Sequence, residues 1–165
     1  MTADKIVNHL HLQPHPEGGY YKETYRSTGT IASKALPANF TGDRSYSTAI
    51  YFLLQQGDYS AFHKIESDEC WHFYEGGTLL IHIIDQQGTY SCIRLGKKIS
   101  EGEVFQHVVP GRSWFASEPA PGVAFSLVGC TVSPGFDFAD FEMATKETLS
   151  TQFPQQLAII NRLCR

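Results

Sequence analysis

The chain has 165 residues, a length that suits one domain able to bury a core without disulfide or metal staples. Hydrophobic residues at 42% and aromatics at 13%, against 18% charged, exclude a disordered polypeptide. A formal net charge of -4, with Lys97-Lys98 as the longest basic run, excludes the clustered Lys and Arg of a nucleic-acid footprint.

The first expected element is a short helix over residues 3–10, with Thr2 as N-cap. The Pro/His/Gly segment QPHPEGG (13–19) stops it, and YYKETYRS (20–27) alternates as a strand does. Residues 28–45, with Gly29, Pro37 and Gly42, read as a loop. From Tyr46 the text turns β-rich, and strands are expected over 46–54, 59–65, 69–75, 78–85, 89–95, 104–110, 112–117 and 123–132. Turn signals lie between them, from Gly57-Asp58 to the stretch Pro119–Gly122. Many short strands with turns every 8–12 residues describe an all-β sandwich or barrel. After Pro134-Gly135, FDFADFEMA (136–144) alternates aromatic and acidic residues. It reads as an anchor strand or a lid, with Phe136, Phe138 and Phe141 packed into the core as the more economical account. Residues 146–153 and 154–164 read as helical, with Pro154 in a first turn and Leu157, Ile160 and Leu163 on one face.

Cys70, Cys92, Cys130 and Cys164 form no CxxC pair. The N-terminus has no apolar run of signal-peptide length, and no segment approaches the length of a membrane span. The expectation is a cytoplasmic protein with free thiols and no membrane partner.

Chemistry concentrates in GDYSAFHKIESDECWHFYEG, from Gly57 to Gly76. Period 2 puts His63 and Ile65 on one face of a strand and Phe62 and Lys64 on the other. If the next strand folds back across the Glu66–Asp68 turn, Glu69 comes near His63. A His beside a carboxylate can act as an oriented general base, and the two can also hold a divalent metal or form a simple ion pair. His82 lies among Leu80, Ile81 and Ile83 and reads as a buried, hydrogen-bonded histidine.

The spacing of Gly57, His63, Glu69 and Gly76 resembles the first motif of the cupin superfamily, and GEVFQHVVPGRSW (102–114) resembles the second. Ile65 stands where the first motif has its second histidine, and Trp114 where the second motif has its histidine. HPEGGYYKETYRS, DECWHFYEG and VGCTVSPGFDFADFE are similar to a branch of small single-domain cupins whose function is unassigned. The resemblance implies a mainly β fold: a double-stranded β-helix, or jelly-roll barrel, with short N- and C-terminal helices and one domain over 1–165. It also implies a homodimer in which an N-terminal strand reaches the partner sheet.

With two usual metal ligands replaced, the expected cofactor is none, and a divalent metal at His63 and Glu69 is the alternative. His63 and Glu69 are the catalytic candidates. Trp114, at a cupin ligand position, would give the pocket a flat wall, and Gln106 a neutral hydrogen-bonding group. His72 would join them only if a bulge turned it inward. Tyr21, Glu23 and Tyr25 share a strand face near Glu17 and could close the pocket or form a dimer edge. The partner expected is a small molecule. One reading is a metal-independent isomerase or epimerase of a carbohydrate or sugar nucleotide, with His63 as base. A second is a ligand-binding or sensory barrel without catalysis, and a third, against which the two missing ligands count, is a metal-dependent cupin enzyme.

Overall fold

The computed structural model describes residues 2–165. Helix α1 (Ala3–Leu10) leads into strands β1 (Gln13–Pro14), β2 (Tyr20–Arg26), β3 (Thr30–Ile31), β4 (Arg44–Ser45), β5 (Thr48–Gln55) and β6 (Ser60–Lys64). Strands β7 (Asp68–Gly76), β8 (Leu79–Ile84), β9 (Tyr90–Leu95), β10 (Gln106–Val109), β11 (Trp114–Pro119), β12 (Phe125–Ser133) and β13 (Glu142–Met143) follow. Helices α2 (Lys146–Gln152) and α3 (Leu157–Leu163) come last.

Two sheets face each other. One runs β1-β2-β5-β12-β7-β10, the other β13-β6-β11-β8-β9, and β3 with β4 makes a separate ribbon. β12 lies between β5 and β7, and β11 between β6 and β8, so strands remote in sequence are neighbours. That is the jelly-roll arrangement. Alternation decides what fills it. Phe52, Leu54, Trp71, Leu79, Phe115 and Val128 point inward and form the central core.

The outer faces are covered by helices. Ile6 and Leu12, from α1 and the residues just after it, pack on Leu53 and Leu127 of the first sheet. Leu149 of α2 and Ile160 and Leu163 of α3 pack on Phe62, Ile84 and Trp114 of the second. Each such side chain contributes roughly 1.5–3 kcal/mol of burial. Pro154 opens a 3-10 turn before α3, and the Thr145 hydroxyl accepts from Thr148 N to cap α2. Thr2 stands at the N-cap of α1, but its side chain makes no capping hydrogen bond.

Two departures from the sequence reading matter. The 28–45 loop contains the β3–β4 ribbon and a 3-10 turn at Ser33–Ala35. The 13–19 segment is not a mere stop. Gln13 and Pro14 pair with β2, and the turn that follows brings the Glu17 carbonyl to Ala61 N at 2.9 Å. Only glycine suits the corner of that turn. Gly18 has φ +116, and a Cβ there would lie 2.1 Å from the Tyr59 carbonyl oxygen. Among the described residues no helix is long and apolar enough to cross a membrane, and all four cysteines are free.

Candidate functional site

A cavity of about 430 Å3 lies between the sheets. It is lined by His15, Glu17, His63, Glu69 and Cys130, together with Tyr21, Ile50, Ile65 and Val132. Glu23, Arg26, Phe136, Asp137, Phe138 and Phe141 line its outer part.

The barrel aims His63 and Glu69 inward because each sits at an inward step of its strand. Ile65, two residues after His63, belongs to the core, as does Trp71, two residues after Glu69. The His63 ring packs on Phe115 at a centroid distance of 4.1 Å. Its Nδ1 donates to the Ala61 carbonyl oxygen at 2.7 Å, which fixes the tautomer and leaves Nε2 for the cavity. There it meets Glu17 Oε2 at 3.1 Å. The same oxygen lies 3.5 Å from His15 Nδ1, which accepts from Glu17 N at 3.3 Å. Two imidazole nitrogens with lone pairs therefore face one carboxyl oxygen. The arrangement holds together only with a proton on it, shared between Glu17 and His63. Desolvation acts in the same sense, since burial raises the Glu17 carboxyl to about 6 and lowers His63 and His15.

Glu69 is shifted further than Glu17. Burial lifts its carboxyl from 4.5 to about 7, opposed mainly by the His63 ring, while the Glu17 carboxyl pushes the same way as burial. The Cys130 thiol beside it is pushed well up by burial and by Glu69 itself, so it stays a neutral, weak donor and not a nucleophile. Both carboxyls bind a proton more tightly folded than unfolded. Their contribution to stability is complete below about pH 4.5 and is lost as pH rises through about 6 for Glu17 and about 7 for Glu69. His15 and His63, kept neutral by burial, act in the opposite sense as pH falls below 6.5. Glu69→Gln isolates the carboxyl effect. Its urea midpoint is expected to be flatter than the parent's across the upper part of this window, and parallel profiles would contradict the assignment.

At the mouth, Arg26 donates from Nε and Nη2 to the two carboxylate oxygens of Glu23, at 3.1 and 2.7 Å, and from Nη1 to the Phe136 carbonyl at 3.0 Å. Phe136, Phe138 and Phe141 pack edge to face against one another and form an aromatic wall, with Phe138 half out in solvent. The Arg44 guanidinium grips Asp140 through Nε and Nη2, at 2.7 and 2.5 Å, and so ties that wall to β4.

Of the residues expected at the site, His63, Glu69, Tyr21 and Glu23 line the cavity and four others do not. Trp114 is outside the barrel. Phe115 is the residue paired with His63, so its neighbour Trp114 faces the other way, under the C-terminal helices and the Lys64 ammonium. One step of register moves a side chain to the opposite face. His72 stays on the outer face, since no bulge separates it from Glu69 in the β10 pairing. It bonds Thr131 Oγ1 at 3.1 Å and Gln106 Nε2 at 3.2 Å, which places Gln106 outside as well. Tyr25 is 54% exposed because the β2–β5 register shifts between Glu23 and Tyr25 and ends the alternation. His82 is buried and bonded to Tyr90 Oη at 2.8 Å and Glu118 at 3.2 Å. Sequence reading did not assign His15, Arg26 and Cys130 to the site, and it gave Glu17 no role there. The available signal for the first pair was a His-x-Glu followed by Gly-Gly, a polar pair just before a forced turn.

The side chains do not fit the metal centre that the cupin motifs imply. Position 65 is Ile, the inward residue of β11 is Phe115, and both nitrogens of His63 are engaged within the protein. Among the described residues no three His, Cys, Asp or Glu side chains are grouped so that they could hold a metal.

Comparisons with known proteins agree with the fold. An uncharacterized protein of Saccharomyces cerevisiae, YML079W, is 33% identical over 148 residues, which is 84% of this chain and 73% of the yeast protein. A hypothetical protein from Leishmania major superposes with a TM-score of 0.89 at 36% identity, covering 99% of both chains. Protein SO0799 from Shewanella oneidensis superposes with a TM-score of 0.89 at 38% identity, covering 100% of this chain and 98% of that one. The family model described as Cupin superfamily (DUF985) matches residues 4–144, and the chain belongs to that family.

Proposed function

We propose that this protein is a small-molecule-binding barrel that moves a proton at a carbon next to a carbonyl, as a metal-independent isomerase or epimerase of a carbohydrate or sugar nucleotide. The observation that carries the reading is the 3.1 Å contact between Glu17 Oε2 and His63 Nε2 inside a cavity that also holds Glu69. The sequence reading made His63 the base and Glu69 its orienting partner. Glu17 is the group in contact with the imidazole, so the roles divide differently. Glu17 and His63 together hold one proton and serve as the acid. Glu69, with a carboxyl near 7 and only a thiol as donor beside it, is the group poised to take a proton at neutral pH.

In the step proposed, the Glu69 carboxylate removes the proton from carbon and the C–H electron pair moves toward the carbonyl. The developing oxygen charge is met by the proton shared by Glu17 and His63. The dyad then takes back a proton from the hydroxyl on the carbon that lost its hydrogen, Glu69 delivers its proton to the neighbouring carbon, and the carbonyl has moved by one position without an external oxidant or reductant. The test is solvent deuterium incorporation over a panel of keto sugars and keto-sugar nucleotides. Exchange at one carbon that disappears in His63→Ala is the expected result, and no exchange above that control counts against catalysis.

The aromatic wall of Phe136, Phe138 and Phe141 favours a second reading, a barrel that holds a ring without converting it. A ligand that saturates the pocket, shifts the melting temperature and shows no exchange would select it.

A further inference from the structure

We propose that the ligand of this pocket carries a protonated amine on a small ring, with the ammonium seated against Glu69 and the ring against the aromatic wall. The proposal rests on the reading of the cavity as a carbohydrate site and narrows it to ring ligands without phosphate, setting the sugar-nucleotide alternative aside.

Four carboxyl groups line the cavity: Glu17, Glu23, Glu69 and Asp137. Arg26 is the one guanidinium or ammonium among the lining residues, and its two donor edges are occupied by both oxygens of Glu23 and by the Phe136 carbonyl. A phosphate or carboxylate ligand would have to compete with Glu23 for Arg26, and no second cation lines the wall to receive it. The donor-poor inner end points the same way. Both histidine contacts to Glu17 fall on Oε2, where the shared proton sits, so that oxygen is already engaged.

Glu69 is different. It is 8% exposed and faces the cavity, and the Cys130 thiol is the side chain placed beside it as a donor. A buried carboxylate with a thiol as its neighbouring donor is a strong acceptor without an adequate partner, and the partner that satisfies it fully is a cation with N–H donors. Burial holds the carboxyl up at about 7, and a bound ammonium would favour its ionised form.

The walls suit the rest of such a molecule. His15 and Tyr21 meet edge to face at 4.5 Å, and Phe141 lies 5.3 Å from the His63 ring, so aromatic rings make up part of the wall of the cavity that Glu69 also lines. Aromatic faces attract a cation most when it is desolvated, which the buried inner residues of the cavity favour. A volume of about 430 Å3 admits one ring with substituents.

The experiment compares glucosamine, glucose and glucuronic acid by isothermal titration on the parent protein and on Glu69→Gln. The expected result is at least tenfold tighter binding of glucosamine than of glucose, with no binding of the uronic acid. In Glu69→Gln the two sugars should come within about threefold of each other while the circular dichroism spectrum is unchanged. Glucose binding as tightly as glucosamine in the parent overturns the ammonium proposal and leaves the carbohydrate pocket standing. Binding of glucuronic acid overturns it as well, since it would show an accessible cation. If none of the three binds, both the proposal and the carbohydrate reading are lost. Should Glu69→Gln fail to fold, the parent's ranking of the three ligands decides alone.

Discussion

Glu17→Gln is expected to lower substrate-dependent deuterium exchange by two to four orders of magnitude, the range a positioned acid or base contributes. The amide keeps the shape and hydrogen-bonding reach of the side chain but cannot pass a proton to His63 Nε2, which lies 3.1 Å from the carboxyl oxygen. The amide also carries its own N–H donors, so a purely packing role for Glu17 would be largely preserved in this variant. The discriminating measurement is the split between turnover and binding. Ligand affinity by titration should change little while exchange collapses. Loss of both in proportion would mean that Glu17 holds the pocket open and does not take part in proton transfer. Glu17→Asp gives the matching control, retaining some exchange because the proton remains although its position shifts.

Arg44→Met is expected to cost about 3 kcal/mol in unfolding free energy, the lower end of what breaking a buried ion pair costs, because Asp140 is left with an uncompensated charge. Both side chains are 4% exposed, and the pair is bidentate. The position of the pair near the rim sets the lower end of the range. The double variant Arg44→Met, Asp140→Leu should recover most of that loss, since apolar groups of similar volume need no partner. Chemical denaturation of the two single variants and the double variant checks this. The ligand measurement should not recover in parallel. Arg44 fixes the 3-10 turn at Phe138–Asp140 that carries the aromatic wall, so affinity stays weakened even where stability is restored. Full recovery of affinity in the double variant would show that the wall needs no tie to β4.

The parts of the molecule that were legible from the amino-acid sequence are those with period. The strands declare themselves by alternation and β-branched content, and the glycine-spaced His63 and Glu69 lie on inward steps that the period predicts. Where the pattern gave the wrong answer, one residue of register was at stake. Trp114 and Phe115 are adjacent aromatic residues, either of which could face the barrel, and the pairing of Phe115 with His63 decides between them. Tyr25 follows Tyr21 and Glu23 in perfect alternation, and a register shift in the β2–β5 ladder undoes it. The acid partner of His63 was out of reach for another reason. Glu17 sits in an irregular turn, where no period applies. Its place is set by a backbone hydrogen bond to Ala61, more than forty residues on.

That hydrogen bond has a counterpart. The Ala144 amide bonds the Phe62 carbonyl at 2.9 Å, and β13 pairs Glu142 with Lys64 and Met143 with His63. The segment before the barrel and the segment after it are thus both fastened to β6, the strand that carries His63. Separating either flank to admit a ligand strips hydrogen bonds from the strand that presents the imidazole, so access and chemical competence are one equilibrium and not two. A ligand that bridges the flanks raises the free energy of that opening by the amount of its own binding. A variant selected for faster ligand release is therefore expected to lose order at β6 first.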